Sequence, residues 1–188
     1  MTSAIHILNG LPLESEKLNK LAEKVKGVFG IATNIVPSTL QHDRAFDRSR
    51  GQYNSTALLA LLLNQGTTPD IKRILIVDAD LFIPVLTFVF GEAQLSGVAA
   101  IVSTHRLQNQ FYGLPRNDAS TMERLEKEVI HELGHTFGLY HCRQFECVMR
   151  SSTYMEEIDL KKAEPCESCS ASLRQTLQPI SVCIKTAF

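Results

Sequence analysis

Seven side chains able to hold a metal fall between positions 131 and 169: His131, His135, His141, Cys142, Cys147, Cys166 and Cys169. Nothing else in the chain restricts its fold as strongly, because ligands of one ion must converge to bonds of about 2.0–2.3 Å. In HELGHTFGLYHC the first two histidines stand four residues apart. On a helix that is about 40° of rotation and one turn of rise, so both imidazoles face one point. Gly138 can take the left-handed conformation that turns the chain sharply, which lets His141 swing back as a third ligand. Three nitrogens leave one tetrahedral position open, the mark of a catalytic rather than a structural zinc, and water bound there has a pKa of about 7. Glu132, beside the first ligand, is placed to take that water's proton.

The cysteines form a second constellation. Cys142 and Cys147 make one close pair and Cys166 and Cys169, in CESC, another. Four thiolates saturate a tetrahedral zinc and leave no room for water, so this site is expected to be structural. A redox CxxC is the alternative, disfavoured because CESC follows a proline in a polar stretch. Two disulfides are the other, disfavoured by the lack of a secretory leader. Because His141 and Cys142 are neighbours, a metal on the cysteines would pin the backbone that delivers the third histidine. Cys183 stands alone and is read as a free thiol.

The rest of the chain narrows the partners. Net charge is −1, which gives no reason to expect a nucleic acid or an anionic membrane. No run approaches the roughly 20 apolar residues of a membrane span. MTSAIHILNGLPLE carries no basic segment followed by a long apolar one, and a cytoplasmic monomer is expected.

Hydrophobic patterning sets out the elements. Residues 4–9 read as a strand, 13–30 as an amphipathic helix, 31–37 as a second strand and 41–51 as a loop. A helix over 54–66 and a buried strand over 71–82 ending in Asp78 and Asp80 complete a β-α-β-α-β order, which predicts parallel strands. The strand-like stretches 86–94 and 97–107 are joined by a connection short enough only for an antiparallel pair. A long helix over 118–138, capped by Asp118 or Ser120, then carries the first two histidines. The fold class is therefore α/β (α+β): a mixed sheet, mostly parallel, with flanking helices. His6, His42 and His105 lack partners at ligand spacing and are read as structural or surface residues, Asp78 and Asp80 as strand-end residues, and Arg106 as holding a loop.

HExxHxxGxxH is the metzincin signature, which expects a methionine turn downstream; Met149, eight residues after His141, is the candidate. With the cysteine after the third histidine, CVM at 147–149 and CESC, the chain resembles the archaemetzincins. RGQY (50–53) and DLFIPVLTFVFGEA (80–93) also look like that family. The resemblance spans essentially the whole chain. It implies one metzincin-like catalytic domain over 1–188, with sheet and helices through the active-site helix in 1–138. The remainder, 139–188, would hold the third histidine, the Met-turn and the cysteine site. It also implies a zinc metallopeptidase acting on peptides, with two zinc ions: one catalytic on His131, His135 and His141 with Glu132 as general base, one structural on Cys142, Cys147, Cys166 and Cys169. Met149 would lie under the catalytic metal without binding it. Several related families place a tyrosine ligand two residues after the methionine; here Ser151 stands there, and Tyr154 is given no role. The stretch 86–94 is expected to form the sheet edge, where an extended peptide could add as a strand. Ligands fix metal occupancy and not turnover, so a zinc-stabilised peptide-binding protein, or a zinc hydrolase acting on a non-peptide amide, stays open beside the peptidase.

Overall fold

Along β1 (Ala4–Asn9), Ile5 and Ile7 are buried on one face and Leu8 on the other. Burial on both faces marks an interior strand. The computed structural model, which describes residues 2–66 and 68–177, gives β1 a partner on each side.

α1 (Ser15–Phe29) buries Leu18, Leu21, Val25 and Phe29, three or four residues apart, and stops at Gly30, whose φ of 66° turns the chain out of the helix. After β2 (Thr33–Pro37) comes a 3-10 turn at 42–45, then β3 (Phe46–Asp47) and β4 (Gln52–Asn54). α2 (Ser55–Leu63) starts where the Asn54 side chain accepts a hydrogen bond from the Ala57 amide. β5 (Ile71–Val77), β6 (Leu81–Phe82), β7 (Gly91–Ala93) and β8 (Ala99–Ser103) follow, then α3 (Asp118–Thr136), α4 (Met155–Asp159) and α5 (Glu167–Leu177).

The main sheet runs β2-β1-β5-β8-β7, parallel through its first four strands and antiparallel between β8 and β7. Successive side chains of a strand point to opposite faces. Ile74, Ile76, Ala100 and Val102 therefore join one core with residues of α1 and α3, while Leu75, Val77, Ala99 and Ile101 join a second core with α2. β7 ends the sheet, so the expected edge strand is present, carried by three residues of the stretch 86–94.

Four expectations need correction. The strand over 71–82 breaks at Asp78–Asp80, and Leu81–Phe82 joins a separate three-stranded sheet, β3-β4-β6. The stretch 86–90 lies outside any strand, with one isolated bridge from Val89 to Leu81, because the ion pairs and side-chain bonds described below hold its backbone instead. The loop 41–51 contains the 3-10 turn and β3. The cap of α3 is Asn117, whose side chain accepts from the Ser120 amide, while Asp118 pairs with Arg116. The CESC stretch behind Pro165 runs into α5, whose first residue is Glu167. No helix among the described residues is long and apolar enough to cross a membrane.

Candidate metal centre

α3 presents Glu128, His131, Glu132 and His135 along one side, at helical spacings of three and four. It ends one residue before Phe137, and Gly138 takes φ 86°, donating its amide to the His135 carbonyl at 2.9 Å. That left-handed turn, expected from the glycine, reverses the chain and brings His141 back to the helix. The three imidazoles each offer a nitrogen within 4.8 Å of the others.

Their protonation is settled by the backbone. His131 donates its Nδ1–H to the Val148 carbonyl at 2.8 Å, and His135 donates its own to the Leu139 carbonyl at 2.7 Å. A carbonyl can only accept, so both Nε2 atoms keep their lone pairs for a metal. Those two atoms lie 3.1 Å apart, close to the roughly 3.3 Å separating two nitrogens on a tetrahedral zinc with bonds of about 2.0–2.1 Å. Burial, reinforced by the Lys161 ammonium, holds His131 well below the usual imidazole range, and burial lowers His135 and His141 as well. Neutral imidazole is the ligand form. The donor set fits zinc.

Glu132 is buried between the first two ligands of the helix. Burial, and then the Glu128 carboxylate, push its carboxyl well above the ordinary range. Room for it comes from Gly91 on β7: a Cβ there would stand 2.7 Å from Glu132 Cγ and Oε1 and 2.6 Å from the Ile101 carbonyl oxygen. A glycine inside a strand signals such a close approach. That signal was present in the sequence and went unread.

Met149 is fully buried, and a Cβ on Gly134 would collide with its sulfur. The methionine thus packs directly on the helix beside His135. Its carbonyl accepts the Cys142 amide at 2.9 Å, tying the turn to the strand of chain that bears the third histidine.

Cys142, Cys147, Cys166 and Cys169 bring their sulfurs within 4.8 Å of one another. Cys142 and Cys166 Sγ are 3.7 Å apart, against about 3.8 Å for two sulfurs on a tetrahedral zinc. The Cys166 amide donates to Cys147 Sγ, whose thiol burial nonetheless raises, and the Gln144 amide donates to Cys142 Sγ. Burial raises the Cys166 thiol, but the Cys169 amide and the neighbouring thiols outweigh it and bring it down to about 7. This donor set fits a closed zinc site. All four are free thiols. Cys183 lies outside the described residues.

The remaining sequence candidates stay outside both clusters. His42 packs on Tyr53 and His105 sits beside Asp78, while His6 is partly exposed on β1. Tyr154 is 64% exposed. Arg106 grips Asp80 with two bonds, of 2.5 and 2.8 Å, giving the loop-holding role expected of it a partner. Sequence reasoning missed the pair between Lys161 Nζ and Glu128 Oε1, 2.8 Å apart, with side chains 0% and 5% exposed. Two hollows flank the histidines, one of about 300 Å³ against residues 86–91 and 151–153, the other of about 340 Å³ against β7, Leu95 and Tyr140.

Comparison with known proteins places this geometry. The sequence model of peptidase family M54 matches residues 15–175. The archaemetzincin of Methanocaldococcus jannaschii is 38% identical over 164 residues, covering 86% of this chain and 88% of that protein. The archaemetzincin of Pyrococcus horikoshii is 39% identical, covering 79% and 81%. Among solved structures, the archaemetzincin of Methanopyrus kandleri superposes with a TM-score of 0.81 at 31% identity, covering 95% of this chain and 97% of that one. A zinc-dependent peptidase from Methanocorpusculum labreanum gives 0.81 at 30% identity, covering 90% and 99%.

Proposed function

Because the chain belongs to peptidase family M54, the archaemetzincins, and is a zinc metallopeptidase, we propose specific roles for its residues. His131, His135 and His141 hold the catalytic zinc, Glu132 is the general base, and Cys142, Cys147, Cys166 and Cys169 hold a second, structural zinc. The observation that carries this reading is the convergence of three imidazoles, two of them with Nδ1 locked by the Val148 and Leu139 carbonyls, with Glu132 beside them.

Zinc bound there supplies electrophilic activation of the scissile carbonyl and of the attacking water. Glu132 accepts that water's proton and returns it to the leaving nitrogen. A buried carboxyl with raised proton affinity suits both halves of that transfer, since it holds the proton between them. β7, at the edge of the sheet, has backbone groups free to align an extended peptide as an added strand. Met149 is a packing residue under the helix and no ligand. Residues 1–138 and 139–188 act as two parts of one catalytic domain, joined through the bonds from His131 to Val148 and from Cys142 to Met149. The free thiols suit a reducing cytoplasm, and we place the protein there.

The test is hydrolysis of a peptide library by the zinc-loaded protein, with Glu132→Gln as control and metal analysis alongside. Glu132→Gln should keep two zinc ions per chain and lose activity by about 10²–10⁴-fold. Cleavage at the wild-type rate by the zinc-loaded variant would remove Glu132 from the mechanism. One zinc per wild-type chain would remove one of the two sites.

A further inference from the structure

The metal ligands leave unexplained RGQY and the stretch after Asp80, two segments that the sequence marked out. The structure joins them. Arg50 Nη2 donates to the carbonyls of Leu86 and Thr87, each at 3.2 Å, and its Nε donates to Gln52 Oε1 at 3.1 Å. Gln52 Nε2 donates to the same Thr87 carbonyl and to Asp80 Oδ2, both at 3.0 Å. Asp80 in turn receives the two bonds from Arg106, whose guanidinium lies 4.1 Å from the centre of the Phe88 ring. Finally the Val89 amide donates to the Leu81 carbonyl at 2.9 Å. Four successive residues, 86–89, are thus held by carbonyl, ring or amide from residues outside both metal-binding clusters.

Those same four residues line one wall of the 300 Å³ hollow, which His131, Glu132 and residues 151–153 also line. The held segment lies outside the ladder of the main sheet, so its position relative to the catalytic atoms depends on these side chains. Leu86, Phe88, Val89 and Phe90 make the wall apolar. The charged residues lining the hollow, Glu128 and Glu132, are both acidic, and Glu128 is already paired with Lys161.

Resting on the peptidase reading above, we infer that Arg50, Gln52, Asp80 and Arg106 are positioning residues that set the side-chain selectivity of the cleft. Through the backbone of 86–87 and the ring of Phe88, they hold the hollow at the width that accepts a large apolar side chain next to the scissile bond. An acidic side chain is disfavoured because the apolar wall would strip its water and the lining offers it no free cationic side chain. One methylene of misfit in an apolar pocket changes discrimination by about 10–200-fold, so a modest displacement of this wall is measurable.

The experiment compares zinc-loaded wild type, Arg50→Met and Arg50→Lys on quenched fluorescent peptides that differ only in carrying Ala, Leu, Phe or Glu at each residue flanking the scissile bond in turn. Arg50 is exposed, and its replacement opens no core cavity. In Arg50→Met the KM for the Leu and Phe peptides should rise about tenfold, with the Ala peptide moving less than twofold and kcat falling less than KM rises. Arg50→Lys, whose ammonium can still reach one carbonyl, should restore part of the preference, and it carries the test if the melting temperature shows Arg50→Met to be unfolded. An equal change for the Ala and Phe peptides, or no change, overturns the inference, as does a wild type that takes Glu as well as Phe. Fluorescence anisotropy of the Phe and Ala peptides on the same zinc-loaded proteins reads the preference without turnover. A wild type that binds selectively yet cleaves nothing sinks the peptidase reading and leaves the wall's role standing.

Discussion

Removing the Lys161 ammonium should cost more stability than any surface charge in this protein. Its side chain is completely buried, its Nζ sits 2.8 Å from Glu128 Oε1, and it also donates to the Arg150 carbonyl at 3.2 Å. Arg150 follows Met149, so one ammonium links α3, the turn at Met149 and the chain beyond α4. In Lys161→Met the aliphatic stem is kept and the charge is lost, leaving a carboxylate that is 5% exposed without its partner. An uncompensated buried charge of this kind costs about 3–5 kcal/mol. For a chain of this length that lowers the melting temperature by roughly 10 °C. The companion variant Glu128→Leu should cost a similar amount by stranding the ammonium. The double variant removes both charges and should lie within about 2 kcal/mol of wild type, because an apolar pair of similar volume replaces a buried ion pair at little net cost. The assay is urea unfolding of all four proteins at one fixed free zinc concentration, so that metal binding contributes equally to each. A positive coupling of at least about 2 kcal/mol is expected. Additive single effects, or a loss below about 1 kcal/mol for Lys161→Met, would show that the pair is not held in the dry contact described.

Two further outcomes follow from the same geometry. Asp80 is lowered from its ordinary value of 3.8: burial raises it, but the Arg106 bonds and charge, with the Gln52 bond, outweigh burial. A depressed folded pKa contributes stability above the unfolded value that is lost as pH falls through the folded one, so wild type should exceed Asp80→Asn at pH 7 and the gap should start to narrow as pH falls below about 4; a gap that does not change with pH in denaturant titrations would contradict the ion pair. Cys147→Ser opens the four-thiol cluster that anchors the backbone next to His141, and should weaken zinc affinity at the histidines by about 10–100-fold in competition with a chelator; unchanged affinity there would separate the two sites.

The histidine site was legible because its logic is local. His131 and His135 need only a helix, Gly138 only a left-handed turn, and His141 with Cys142 only adjacency, so spacing along the chain stands in for distance in space. Gly91 and Gly134 were visible as glycines, but not what they clear room for, since Glu132 and the Met149 sulfur reach them from other elements. Strand limits failed where side-chain bonds replaced the ladder, at Asp78–Asp80 and along 86–90.

Local spacing and residue chemistry alone determined the two donor sets, the helix that carries the first, and the parallel pairing of the first strands. Only the tertiary structure decided that Arg50, Gln52, Asp80 and Arg106 meet behind one wall of the cleft and that Lys161 closes on Glu128. Those partners lie between 26 and 37 residues apart along the chain, except Arg50 and Gln52, which share one segment. No periodicity of strand or helix connects residues so separated. Their meeting depends on how the start of β4 lies beside the ends of β5 and β8 and on the burial that makes each unpaired charge too costly to leave alone.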